Sequence, residues 1–478
     1  MQNTTNAYPE NGFVSLLRAH GRWFLGLGLA AIALRLLFIV RFPLITPDGL
    51  LYGEFANNWL RYGVYGQTGA TGPFASYIRL PGYPAFLALM FKFAGIDHYG
   101  AARYAQLFID IGTCFVVADL ARRAVSTRVA RWAFALAALC PFLANYTALP
   151  LTETPTVFFT ALALDLAIAA RGVEEANTVA ALKRWAGAGL ATGASILFRP
   201  DGGMLLLAIG AYLLLRLICL QDKLKVLYAG IVFTVCALAP LAPWTLRNWR
   251  TFHVFMPLVP ESATMPGEFV ARGYELWERT WLVDYASLED ISFHIDGEPV
   301  DASRLPNRAF DNDDERRRTL ALFETYNDDP VMTPELDAQF GELARERIHR
   351  NPLRFYAGVP FLRTTSMWLR PRIEMLPIDT HWWRLWEDPR DFAWAVVFLA
   401  INFAYLILAV IGLARWRAIR GAGLMLIFVG LRTALLPYIT SPEPRYVLEC
   451  YPVVIVMAAA GLCSVMQRGA LGSTRTQE

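Results

Sequence analysis

Apolar stretches alternate with polar ones along the whole chain. Ten of them, at 22–42, 101–121, 132–149, 154–171, 185–200, 202–218, 226–244, 392–413, 421–439 and 446–466, come near the length of a membrane-crossing helix, about 20 apolar residues. The run from Pro81 to Gly95 is shorter, and its length predicts an interfacial or re-entrant helix instead of a span. Between the first two spans, GLLYGEFANNWLRYG sets Leu51, Phe55, Trp59 and Tyr62 at helical spacing. That stripe predicts a helix lying on the bilayer surface. The segment 245–391 is far more polar. Acids at Asp311–Asp314 ahead of Arg316–Arg318 suit the start of a solvated helix, and 335–350 and 352–369 read as two more. His381, Trp382, Trp383 and Trp386 mark a return to the membrane interface. The pattern predicts an all-α polytopic membrane protein in three parts: seven spans in 1–244, a mainly helical extracytoplasmic domain at 245–391, and three spans in 392–478.

Charge sets the orientation. Arg122, Arg123, Arg128 and Arg131, then Arg171, Lys183 and Arg184, then Arg216, Lys223 and Lys225, then Arg415, Arg417 and Arg420 fall on one side, with Arg18, Arg22, Arg468 and Arg475. The other side holds Arg61, Arg79, Lys92, Arg199 and Arg445 in its short segments. The bias of basic residues toward the cytoplasm then places both termini there. Composition agrees: 55% of residues are hydrophobic and 18% charged, against about 25% charged in soluble domains. A net charge of +3 gives no case for a nucleic-acid partner. The first apolar run lacks a small-residue cleavage site and reads as a retained anchor. All six cysteines lie in apolar runs, where they are expected to pack and not to form disulfides.

With this threading, the polar residues of interest share the extracytoplasmic face. Asp48, in TPDGLLY, is placed to take a proton from a substrate held at the membrane surface. Its structural alternative is a helix N-cap. Glu153, in the short PLTETP link, has the same two readings, since an ionisable group at that depth is costly unless it serves a site. Arg79, Arg199, Arg247 and Arg445 each sit at the same boundary, mostly beside Pro or Gly. Each alone reads as a snorkelling arginine; together they suggest a phosphate group, which a guanidinium fork binds well. No GxxxxGK[ST], GxGxxG or HExxH motif occurs, and the histidines show no ligand spacing. No cofactor is expected, although a divalent cation bridging Asp48 and a phosphate stays open.

PDGLLY, RLPGYPAFLAL, TETP, FRPDGG, APWTLRNW and EPRYVLECYP, in this order and on one membrane side, resemble the GT-C superfamily of integral-membrane glycosyltransferases. The likeness is nearest to its protein O-mannosyltransferase and lipid A aminoarabinose transferase branch. The resemblance implies Asp48 as catalytic acid of the first outer loop, with Glu153 as a second acid. It implies Arg79, Arg199, Arg247 and Arg445 around the phosphate of a polyprenyl-phosphate sugar donor, and Tyr52, Tyr83 and Tyr446 lining the substrate cavity. Many members carry an Asp-Glu pair where this chain has Asp48-Gly49; that departure leaves open whether the extracytoplasmic acceptor is a lipid, glycan or protein.

The chemistry fits such a donor. Its leaving group is a phosphate monoester with a second pKa near 6, so it departs without a general acid. Arginine at the developing charge and one carboxylate base then suffice, by single displacement with inversion. A covalent intermediate on the second carboxylate is the variant, and carboxylate separation discriminates the two. A bacterial inner membrane with a periplasmic site is the expected location. The rival functions are a transporter or flippase of lipid-linked glycans, for which internal repeats would be expected, and a non-catalytic membrane partner.

Overall fold

The computed structural model describes residues 12–219, 223–439 and 441–475, with side chains as far as Arg468. Two compact units emerge. The first takes the chain up to Met265 together with Ala404–Leu431 and the chain from Leu448; the second takes Pro266–Phe403 and Arg432–Val447.

In the first unit, a short helix α1 (Phe13–Ala19) leads into α2 (Gly21–Arg41), then α3 (Pro47–Tyr62), a two-stranded antiparallel hairpin β1 (Gly66–Gly69) and β2 (Gly72–Ala75), and α4 (Gly82–Ala94). Next come α5 (Tyr99–Ala124), α6 (Thr127–Ala138), α7 (Pro141–Tyr146), α8 (Glu153–Val173), α9 (Thr178–Phe198), α10 (Gly203–Cys219), α11 (Lys223–Leu238) and α12 (Ala242–Phe252). Seven helical segments among the described residues are long and apolar enough to cross a membrane: Gly21–Arg41, Tyr99–Ala124, Glu153–Val173, Pro200–Cys219, Lys223–Phe252, Pro389–Leu413 and Pro444–Arg468. The 21-residue α9 matches them in length. Helix α4 has 13 residues, roughly 20 Å of rise, which is too short for a ~30 Å core.

The predicted span at 132–149 is not one helix. It breaks at Cys140, because Pro141 has no N–H to donate to the Ala137 carbonyl, and proline is tolerated only as the first residue of the next helix. Arg35, fully buried in α2, fills the gap. Its Nη2 donates to the Ala137 carbonyl at 3.1 Å, its Nη1 to the Ala138 carbonyl, and its Nε to Asp110 of α5 at 2.8 Å. A charge at that depth is tolerable only when paired and fully hydrogen-bonded, and this one satisfies orphaned backbone as well.

Helix α3 forms as predicted but does not simply lie on a bilayer. Phe55 is fully buried and packs with Tyr65, Tyr77, Ile78, Leu80 and Trp244, while Trp59 and Tyr62 stay exposed. The hairpin supplies this second surface: Asn58 Nδ2 donates to the Gly66 carbonyl at 3.0 Å, and the Thr68 amide donates to Glu54 at 2.6 Å.

The second unit holds α13 (Arg272–Arg279), α14 (Tyr285–Asp290), α15 (Asp313–Asp328), α16 (Pro334–Arg350) and α17 (Val359–Trp368). Asn312 caps α15, and the predicted acids occupy its first turn. Trp277, Trp281, Phe323 and Phe340 form an aromatic core with ring centroids 5.1–5.7 Å apart. Arg347 pairs with Glu315 inside this unit, and Asp311 receives Arg350 and Arg354. Buried Glu278 is pushed up to about 7, chiefly by loss of water, despite donation from Ser292. The chain continues through α18 (Pro389–Leu413), α19 (Ala422–Leu435) and α20 (Tyr451–Arg475). The six cysteines are free thiols, four of them buried.

Candidate active site

Asp48 lies in the first turn of α3, where a carboxylate favours the positive end of the helix dipole. The capping role belongs to Thr46, whose hydroxyl accepts from the Gly49 amide at 3.2 Å. The Asp48 carboxylate accepts instead from Arg79 Nη2 at 3.3 Å, and the side chains are 31% and 23% exposed. This pair is reachable from solvent. Gly49 has no space for a side chain, since a Cβ there would stand 2.9 Å from Pro150 Cγ and 3.0 Å from the Pro150 carbonyl. The missing second acid after Asp48 thus has a steric reason. The same contact sets the start of α3 directly on the link that leads to Glu153.

That link is non-helical and is held from α5. Gln106 Nε2 donates to the Leu149 carbonyl at 2.7 Å and reaches those of Thr147 and Tyr146 at 3.3 and 3.4 Å. Tyr83 donates to Gln106 Oε1 at 2.7 Å, and Arg103 Nε donates to the Ala148 carbonyl at 2.9 Å. Carbonyls released by the end of α7 therefore find partners. Helix α8 then opens at Glu153 without a side-chain cap. The Glu153 carboxylate, 2% exposed, accepts from Arg199 Nη1 at 2.7 Å.

Arg199 ends α9, brought there by close packing: a Cβ on Gly82, at the start of α4, would stand 2.6 Å from the Leu197 carbonyl. Its guanidinium forks onto Asp201 at 2.9 and 3.2 Å and lies 3.5 Å from Glu449 at the head of α20. Thr152 accepts from Nη1 at 3.3 Å. The arginine expected at a donor phosphate is thus shared by three carboxylates.

Tyr52 lies one helical turn after Asp48 on α3 and feels the charges of both ion pairs. Burial pushes its hydroxyl up to about 12; the Asp48 and Glu153 charges add to this, and Arg79 and Arg199 oppose it. A phenol that feels all four groups marks them as one neighbourhood. Its ring is 5.2 Å from that of Tyr83.

Arg247 reaches the same end of the unit by another route. It donates to the carbonyls of Ser76 at 2.9 Å and Tyr65 at 2.7 Å, and lies about 5 Å over the rings of Tyr65, Trp244 and Phe252. It lines a cavity of about 630 Å³ whose other walls include Trp59, Pro81, Leu197, Pro243 and Trp244. Arg445 and Tyr446 belong to the second unit, where Glu443 takes the Arg445 fork at 2.7 and 2.9 Å and the Tyr446 hydroxyl at 3.0 Å. Among the described residues no group of three or more His, Cys, Asp or Glu is disposed to hold a metal ion.

Sequence reasoning missed Asp201, Glu449, Gln106 and Arg103. The first two lie inside quoted motifs, FRPDGG and EPRYVLECYP, and could have been read as partners for their arginines. Gln106 had a signal too, as an amide within an apolar run.

The family model for dolichyl-phosphate-mannose-protein mannosyltransferases matches residues 79–244, about a third of the chain, including Arg79, Glu153 and Arg199. No curated protein sequence matches. Among solved structures, the oligosaccharyltransferase AglB of Archaeoglobus fulgidus, in complex with an inhibitory peptide and a dolichol-phosphate, aligns with a TM-score of 0.54 at 12% identity over 96% of this chain. Its apo form aligns at 0.52 and 12%, again over 96%. The chain spans about half the length of these structures, 52% in both cases. ArnT from Cupriavidus metallidurans bound to undecaprenyl phosphate aligns over 93% of this chain and 78% of its own, at 14% identity. Its TM-score of 0.39 carries no argument. The chain is thus a multi-pass integral-membrane protein that shares its fold with AglB and, over residues 79–244, matches the dolichyl-phosphate-mannose-protein mannosyltransferase family model.

Proposed function

We propose that the protein transfers a sugar from a polyprenyl-phosphate carrier to an extracytoplasmic acceptor, by inverting single displacement with Asp48 as base. The observation that carries this reading is the pairing of Asp48 with Arg79 and of Glu153 with Arg199 around Tyr52. The first pair is partly exposed, so it is worth at most about 1 kcal/mol. A donor phosphodiester, whose negative charge grows as the sugar departs and the monoester forms, can take Arg79 from Asp48 and leave that carboxylate ready for the acceptor hydroxyl proton. The second pair is buried and shared with Asp201 and Glu449. It suits Arg199 for holding Glu153 in place more than for binding the donor directly. Arg247 offers a guanidinium in a mostly apolar cavity, as the phosphate end of a prenyl chain requires. Arg445 and Tyr446 are assigned to the substrates by their motif.

Charge bias supports cytoplasmic termini and a site on the opposite face, and the membrane in this reading is a bacterial inner membrane. The test is turnover by the purified protein with a synthetic undecaprenyl-phosphate sugar. Arg79→Ala should weaken donor binding; unchanged donor affinity in both Arg79→Ala and Arg247→Ala removes the phosphate assignment.

A further inference from the structure

Helices α10 and α11 run antiparallel and leave a groove between them, away from the cluster around Tyr52. The groove encloses about 420 Å³ and is lined by Gly210, Leu213, Leu214 and Leu217 of α10 and by Leu227, Gly230 and Ile231 of α11, among others. The α10 residues recur at i, i+3, i+4 and i+7, one continuous face. From Gly210 to Leu217 that face rises roughly 10 Å, within the ~15 Å depth of one leaflet of hydrocarbon. Both glycines open it: a Cβ on Gly210 or Gly230 would meet nothing within 4 Å.

One end of the groove is charged. Lys223 begins α11 and is exposed. It lies four residues before Leu227 and seven before Gly230, so it shares the face that lines the groove. Arg216, beside Leu217 on α10, is already engaged by Glu174 at 2.8 Å. Lys223 is thus a cation one helical turn beyond the groove's lining on the same face of α11. An apolar channel of less than leaflet depth with an ammonium group at its end suits a phospholipid with a negatively charged headgroup.

We infer that this groove is a binding site for an anionic phospholipid, with an acyl chain along Gly210–Leu217 and the headgroup phosphate at Lys223. A basic residue at a membrane surface contributes about 1 kcal/mol to such binding, equivalent to about a fivefold change in affinity. The experiment compares lipid retention by native mass spectrometry, after reconstitution in nanodiscs of phosphatidylglycerol or phosphatidylcholine. Lys223→Gln should lower phosphatidylglycerol retention about fivefold and leave phosphatidylcholine unchanged. Gly230→Leu places a side chain in the groove at a position where a Cβ meets nothing within 4 Å, and should displace both lipids. Equal phosphatidylglycerol retention by wild type and Lys223→Gln overturns the headgroup assignment. If Gly230→Leu leaves lipid retention intact and converts a dimer to a monomer, the groove is a seam between two copies and the inference fails.

Discussion

Removing Arg199 tests whether it serves the fold of the site or the donor. The guanidinium faces Glu153, Asp201 and Glu449, whose side chains are only 2%, 10% and 3% exposed. Arg199→Ala takes away the cation they share, and breaking a buried pair in this way costs about 3–5 kcal/mol. Glu153→Gln keeps an oxygen to accept from Nη1 and leaves Arg199 its other two carboxylates, so it costs about 1 kcal/mol. Asp48→Asn touches a pair 23–31% exposed, where at most about 1 kcal/mol is at stake. Thermal midpoints in a mild detergent, recorded at one scan rate because unfolding there is irreversible, should fall in that order, with Arg199→Ala lowest and Asp48→Asn near wild type. Arg199→Lys restores charge without the fork and should recover part of the loss. If Arg199→Ala melts with the wild type and only donor affinity falls, the arginine serves the donor and the network reading is wrong.

Further consequences concern the supports. Gly49→Ala forces a methyl against Pro150 and should cost about 1–3 kcal/mol, with a larger fractional loss in kcat than in donor affinity as Asp48 is displaced; unchanged kcat contradicts the contact. Gln106→Leu abandons the Leu149 carbonyl and its neighbours and should lower the thermal midpoint, at about 1–3 kcal/mol for buried acceptors left unpaired; a variant as stable as wild type shows that the link holds itself. For Glu278 the folded-state value, about 7, lies above the ordinary 4.5. Its contribution to stability is therefore present below about pH 4.5 and lost as pH rises to about 7, on the order of 3 kcal/mol. Protection factors in the Trp277 core, that is exchange corrected for its intrinsic rise with pH, should fall over that window in wild type and not in Glu278→Gln.

Seven of the ten expected spans were legible because hydrophobic length is the bilayer's own requirement, and they put Asp48, Glu153 and Arg199 at one end. What the periodicity hid was the partner of each charge. An arginine at a helix boundary looks the same whether it faces a phosphate or, like Arg199, three carboxylates from separate segments. The stripe on α3 gave its helix but not the hairpin that covers Phe55, since the four-residue strands GQTG and GPFA carry almost no pattern. The break after α6 was readable in principle from Pro141, yet the apolar run continues across it. Only Arg35, distant in sequence, shows how the interrupted backbone is satisfied.

The account rests on Asp48 as the base of a lipid-linked glycosyl transfer, and one measurement reaches that claim directly. Purified wild-type and Asp48→Asn proteins are given the same undecaprenyl-phosphate sugar and scored for carrier phosphate released in the presence of acceptor. The expected result is turnover in wild type, and loss of turnover in Asp48→Asn by at least a hundredfold with donor binding and thermal midpoint retained. Turnover by Asp48→Asn at the wild-type rate contradicts the account.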